Sequence, residues 1–316
     1  MSSFTRRDAE PVEPPGDTAA TDTGHAGTAP RWLGIAPALF LLLWSLGFPV
    51  AKIGTAYVDP MLFLVLRYSL VLVVLAPLLI WLRPAFPRRG REWLHLGVVG
   101  VLIQTVYFGL CYSAFAVGAS AGIVALIVSL QPILVALGAP SLVGESIGRR
   151  HWLGLALGLA GAMIVILGRA AVEATSVAGI LCAAGALLGM SAATLYEKRF
   201  GGRHHPVAAN TIQYAAGLAS TLPLALAFGT LDITWAAPML AALGYLVIGN
   251  SLIAITLLLT MIRHGEASRI SALFYLVPPS AALLAWLMID EPMPPLAWVG
   301  MAVAALGVAL VTRRQV

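Results

Sequence analysis

The sequence predicts an all-α integral membrane protein, with ten transmembrane helices arranged as two inverted five-helix repeats. Three observations carry that expectation. Of 316 residues, 59% are hydrophobic and only 10% charged, which is too little charge to coat a soluble globule of 33.1 kDa. Ten apolar stretches recur, each near the ~20 residues that a helix needs to cross the hydrocarbon core. The residues that punctuate those stretches repeat at a fixed offset of 146.

Taken in order, residues 1–31 form a polar tail rich in Pro, Thr, Ala, Gly, Asp and Glu, with Phe4 its only aromatic. Such a segment buries too little apolar area to offset its ordering entropy, so it is expected to be disordered and cytoplasmic. It lacks the basic, apolar and cleavage regions of a signal peptide, in that order. The first repeat, 32–169, holds apolar runs at about 33–55, 60–82, 93–115, 119–140 and 152–168. The second, 177–314, holds runs at about 178–199, 207–228, 236–262, 269–288 and 296–312. Loops are short, so consecutive helices are antiparallel. Placing the tail inside puts sixteen of the 19 basic residues in inner segments and leaves only Lys52 and Arg169 in outer loops. Both termini are therefore expected in the cytoplasm.

Under the offset, Ser45 falls on Ser191, Lys52 on Lys198, Pro60 on Pro206, Tyr68 on Tyr214 and Pro77 on Pro223. Further along, Pro132 falls on Pro278, Glu145 on Glu291, Trp152 on Trp298, Gly154 on Gly300 and Gly161 on Gly307. Alanine and leucine matches are cheap in this composition; proline, tryptophan and charged matches are not. Five spans is an odd number, so the second half must be inverted relative to the first. That plan is common in secondary transporters, whose substrate site lies near the midplane between the halves.

Polar groups inside spans are expensive and need a partner or a wet cavity. Gln104, Tyr107 and Cys111 fall at i, i+3 and i+7, which is one face of an α-helix. Gln104 lands on Asn250, followed by Ser251, so the two amides are expected either to face each other across a central cavity and bind a polar head group, or to act as interhelical glue. Pro132 is expected to free the carbonyl of Val128, and Pro278 that of Phe274, with Pro279 adding a second break beside Tyr275. Those carbonyls and Gln131 are candidates for a substrate path or for hinges, the alternative being static kinks. Trp44 and Ser45, with Ser191 and Thr194, suit an amphipathic solute, although a tryptophan there also serves as packing. Arg67 lies about 10 Å into its span at 1.5 Å per residue. The preferred expectation is that it snorkels to the outer surface; the other is that it recognises a substrate carboxylate at the outer mouth. Glycines 154, 158 and 161, with Gly300, Ala304 and Gly307, give the fifth and tenth spans small-residue faces for close packing, within one chain or between protomers.

Trp44-Ser45 through Lys52, Arg67, Ala119 to Pro132, Glu145, Gly154 and Gly161 together resemble the drug/metabolite transporter superfamily, specifically its EamA-like ten-helix branch. In the second half the similarity is carried by Ala267, Ser268, Tyr275, Leu276, Pro278, Glu291, Gly300 and Gly307. The resemblance implies ten helices around a central cavity, a small-molecule substrate and a place in a bacterial inner (plasma) membrane, with YddG-type amino-acid exporters as the nearest relatives. It implies a carrier and not an enzyme, exporting amino acids or similar metabolites by alternating access. Carriers of lipid-linked sugars or drugs are the runner-up, and a lipid-modifying membrane enzyme is the less favoured class.

The absences point the same way. No GxxxxGK[ST] occurs, which argues against ATP hydrolysis. No Asp or Glu lies near the centre of a span, which favours a uniporter or exchanger over a tightly proton-coupled pump. Cysteines 111 and 182 read as core residues, His204-His205 is a weak metal lure, and no basic patch suits nucleic acid. The expected partners are a small-molecule substrate and the lipid bilayer, with no metal and no cofactor, in a monomer or homodimer.

Overall fold

The computed structural model describes residues 35–119, 124, 127–169, 176–202, 204–264, 270–277, 279–280, 283–284 and 295–312. The tail, Pro278 and Glu291 lie outside the described residues. Helices α1 (Ala36–Thr55), α2 (Pro60–Leu82), α3 (Gly90–Ala116), α4 (Gln131–Leu142) and α5 (Arg149–Arg169) occupy the first half. Helices α6 (Val177–Phe200), α7 (Pro206–Phe228), α8 (Ala237–Ile262) and α9 (Pro295–Thr312) occupy the second, with a 3-10 turn at Ala272–Leu276 between the last two. Six of these, α1, α2, α3, α6, α7 and α8, are long and apolar enough to cross a membrane, and α4 and the apolar part of α9 are shorter.

Proline opens several helices because its missing N–H costs nothing in a first turn. Shifted by 146, Pro60–Leu82 becomes Pro206–Phe228, residue for residue. The caps correspond as well. Asp59 accepts from the backbone N–H groups of Met61 (2.8 Å) and Leu62 (3.3 Å), and at the matching position His205 Nδ1 accepts from Val207 (3.3 Å). Large apolar side chains stand open on the outer faces of the bundle. Trp81 near the end of α2 is 78% exposed and Phe228 at the end of α7 is 83% exposed, as suits a surface facing lipid rather than water.

Contacts between connecting segments sort them into two ends. Val58 pairs with Ile233 in an antiparallel bridge, and Thr234 donates its N–H to the carbonyl of Tyr57 (3.0 Å), joining the α1–α2 and α7–α8 connections. Ser176 before α6 donates to the carbonyl of Val117 after α3 (2.6 Å). At the other ends of these helices, His95 at the start of α3 shares a hydrogen bond with the Tyr196 hydroxyl of α6 (2.7 Å), and Arg199 bonds the carbonyl of Leu142.

Helices α5 and α9 pack directly through their small residues. A Cβ on Gly161 would lie 2.6 Å from the Gly300 oxygen, and one on Gly154 would lie 2.7 Å from the Gly307 oxygen. The ascending order of one helix meets the descending order of the other, so the crossing is antiparallel. The small-residue faces are thus spent inside the chain.

Two expectations about proline are corrected. Pro132 does not kink the middle of a continuous fourth helix: the chain turns at Ser129–Leu130 and α4 begins at Gln131, with Pro132 in its first turn. The missing N–H makes proline a helix starter there, not a hinge within a helix. The Phe274 carbonyl is not freed, because the 3-10 turn lets Val277 donate to it. Pro279 is buried.

Candidate functional site

The backbone of α3 widens into a π-helix at Val101–Phe108, and that of α8 does the same at Leu246–Ala254. At an offset of 146 the first segment falls within the second. Each π-helical stretch bonds i to i+5 and turns later side chains away from α-helical register, a device frequent at functional sites. Gln104 sits in one and Asn250 in the other.

The changed register separates residues expected on one face. Tyr107 and Cys111 line an aromatic pocket with Trp44, Phe48, Phe108, Tyr112, Phe115 and Asn250. Gln104 instead turns towards α7, where a Cβ on Gly217 would meet its Cβ at 2.5 Å. The two amides therefore do not serve a common cavity: Asn250 and Ser251 bind Arg67, while Gln104 packs between α3 and α7.

Arg67 is the centre of the site and is not at the surface. Its side chain is 0% exposed, so the snorkelling expectation is overturned. Its Nε donates to Ser251 Oγ (2.7 Å), Nη1 to the Tyr112 hydroxyl (3.0 Å) and Nη2 to Asn250 Oδ1 (2.6 Å). The guanidinium carbon lies 4.4 Å from the centroid of the Phe108 ring, a favourable cation–π placement. Two of these partners come from residues more than 180 positions away, so the cluster ties the halves together. Close approach of α8 to α1 depends on Gly47, where a Cβ would stand 2.6 Å from Asn250 Nδ2.

The aromatic pocket adjoins this cluster and shares Phe108, Tyr112 and Asn250 with it. Trp44 is 1% exposed, stacks on Tyr107 (6.0 Å between centroids), and meets Phe40, Phe108 and Phe274 at 5.2–5.8 Å. The rings leave about 10 Å³ between them, which is room for one water. A larger solute enters only when the rings part.

The other expected residues spread around this centre. Ser45 donates to the Val277 carbonyl (3.4 Å), and Gln131 Nε2 donates to Thr194 Oγ1 (3.2 Å) and Ser271 Oγ (3.3 Å). Tyr275 is fully buried, its hydroxyl meets no partner among the described residues, and its ring sits where a side chain on Gly158 would clash. Ser191 and Thr194 donate to carbonyls of their own helix, at Leu187 and Met190.

Sequence reasoning missed Gly47, Phe108, Tyr112 and Gln213. The last was within reach, because the offset that pairs Gln104 with Asn250 also pairs Arg67 with Gln213. Gln213 is 0% exposed on α7, and among the described residues neither its amide nor that of Gln104 has a hydrogen-bond partner. Beside them Tyr68 and Tyr214 stand at 5.6 Å, one donating to the Gln104 carbonyl (2.6 Å), the other to that of Ser251 (2.9 Å). Among the described residues no group of His, Cys, Asp and Glu is placed to hold a metal.

Residues 32–167, and again 177–313, match the EamA-like transporter family. An uncharacterized transporter of Bacillus subtilis (strain 168), YvbV, is 26% identical over 88% of this chain and 90% of its own. A protein of Escherichia coli (strain K12) named as a probable amino-acid metabolite efflux pump is 22% identical over 87% and 92%. An uncharacterized inner membrane transporter of the same organism, YedA, is 25% identical over 87% and 89%. A crystal structure with 23% identity superposes with a TM-score of 0.74, covering 89% of this chain and 96% of that one, and so shares its fold.

Proposed function

The chain belongs to the EamA-like transporter family, and from that premise we propose that it is a secondary carrier exporting small amphipathic metabolites, amino acids foremost, from the cytoplasm. In this reading ten spans form two inverted halves, and alternating access opens first one end of the interface between them and then the other. Both termini lie in the cytoplasm.

The observation that carries the proposal is the Arg67–Asn250–Ser251–Tyr112 cluster, a buried polar centre joining the halves beside an aromatic-walled pocket. Polar groups at that cost are kept where a substrate passes. Trp44, Tyr107 and Phe108 offer apolar faces to the body of a solute; Asn250, Ser251 and Arg67 offer polar contacts to its head. Gln131, Ser45 and Tyr275 line the junction of α1, α4 and the 3-10 turn, where the chain breaks before Pro132 supply hinges. The grouping of connections into two ends and the antiparallel crossing of α5 on α9 both support the inverted arrangement. The name of the Escherichia coli efflux relative favours amino acids.

The test is uptake into proteoliposomes containing only the purified protein, screened with labelled amino acids, sugars and a lipophilic cation, with and without a pH gradient. Saturable amino-acid flux that falls at least tenfold in Asn250→Ala and in Trp44→Leu, in protein that remains folded, is the expected result. Flux of sugars or of the cation alone overturns the amino-acid assignment. Absence of flux for every solute overturns the carrier.

A further inference from the structure

We propose that Arg67 is the subsite for an anionic group of the transported solute, and that the anion takes the guanidinium away from Asn250 and Ser251. Charge recognition and release of the contact between the halves are then one event. The inference rests on the carrier reading above and names the chemical feature its substrate must have.

A guanidinium stays charged at every physiological pH. Burying such a charge is costly unless an opposite charge compensates it. Here the side chain is fully buried, yet its hydrogen-bond partners among the described residues are three neutral oxygens, those of Ser251, Tyr112 and Asn250. Hydroxyls and an amide satisfy donors but leave the charge unneutralised. The planar fork of Arg67 fits a carboxylate bidentately, and a charge-assisted pair is roughly twice as strong as a neutral one. An incoming anion therefore outcompetes the amide oxygen of Asn250 and the hydroxyl of Ser251.

Packing does not require the charge. The matching position in the second half holds Gln213, equally buried and neutral, next to Tyr214 as Arg67 is next to Tyr68. The same structural setting thus accepts an uncharged side chain, and the cation marks one half only. Its neighbours Phe108, Tyr112 and Asn250 also line the aromatic pocket, so a solute whose anionic end reaches Arg67 lays its apolar body against Trp44 and Tyr107. Asn250 and Ser251 belong to α8 and Arg67 to α2; once the anion replaces them, no hydrogen bond from Arg67 holds the halves together.

The probe is the labelled amino acid giving the largest flux in the proteoliposome screen, competed by the same acid unlabelled, by its carboxamide and by its decarboxylated amine. In the wild-type chain the acid is expected to compete at least tenfold better than the amide or the amine. In Arg67→Gln, which installs the residue of the other half, acid and amide are expected to compete alike. Asn250→Asp gives the guanidinium an internal carboxylate and is expected to cut flux of the acid at least tenfold while the protein stays folded. Equal competition by acid and amide in the wild type overturns the anion subsite and leaves the carrier standing, without reliance on any variant. Saturable flux restricted to uncharged solutes does the same. No flux of any solute overturns both.

Discussion

Adding a single methyl group at Gly161 tests how closely α5 and α9 approach. In Gly161→Ala the new Cβ would collide with the Ala304 backbone nitrogen and stand 2.6 Å from both the Gly300 oxygen and the Ala304 Cα, at least about 0.8 Å short of ordinary contact at 3.4 Å. All three obstacles are backbone, so no side-chain rotation relieves the clash and the helices must separate. A gap of 0.5–1 Å forfeits a quarter to a half of each dispersion well. Applied to roughly 40–60 atom pairs at ~0.1–0.2 kcal/mol each, that is about 2 kcal/mol, within the ~1–3 kcal/mol typical of overpacking. At about 2–4 °C per kcal/mol for a chain of this size, melting in detergent followed by tryptophan fluorescence falls by about 5 °C. Adding Ala304→Gly does not rescue the variant, because its Cβ is not the obstacle. Gly244→Ala is the control: nothing lies within 4 Å of its Cβ, and replacing glycine within a helix gains about 0.5–1 kcal/mol. If Gly161→Ala melts with the wild type, the close crossing is refuted.

Asp59→Ala removes the acceptor of two N-terminal N–H groups of α2 and is expected to cost about 1 kcal/mol, read as a lower melting temperature that Asp59→Asn largely restores; His205→Ala, which removes one longer bond, costs less. The double variant Gln104→Leu, Gln213→Leu replaces two buried amides that make no side-chain hydrogen bond among the described residues, so it melts at or above the wild type. A clear fall in its melting temperature would show that these amides bind one another or water within the membrane.

Much of the helix plan was legible because the signals were local. Apolar runs bounded by prolines and charged loops place α2 at its observed bounds and α7 within one residue of them, and the offset of 146 ties one to the other. The site was only partly legible. Trp44, Tyr107 and Asn250 lie around the aromatic pocket and Ser251 on Arg67, but nothing in the sequence signals the π-helical stretches: in a run that is apolar all round, periodicity has nothing polar to count against. That is why Gln104 was placed on the face of Tyr107 and Cys111. Arg67 was misplaced for another reason. Position along a span fixes depth in the bilayer, whereas burial depends on neighbours, and two of its partners lie 183 and 184 positions away in sequence. Pro132 begins a helix where the sequence alone suggests an interruption, since the residue marks a boundary without saying which side of it is helical.

The crossing of α5 and α9 bears on the ancestry of the chain. Gly154 meets Gly307 and Gly161 meets Gly300, and each pair joins one repeat position to the counterpart of the other. Contacts that exchange in this way are those of an isologous interface, in which one surface recognises a second copy of itself. A half-length ancestor inserted into the bilayer in both orientations would already carry everything this interface needs, and gene fusion would add only a tether. A side chain acquired at Gly154, Gly161 or Gly307 lands on the backbone of the facing helix. Two halves expressed as separate polypeptides should still find each other through this seam.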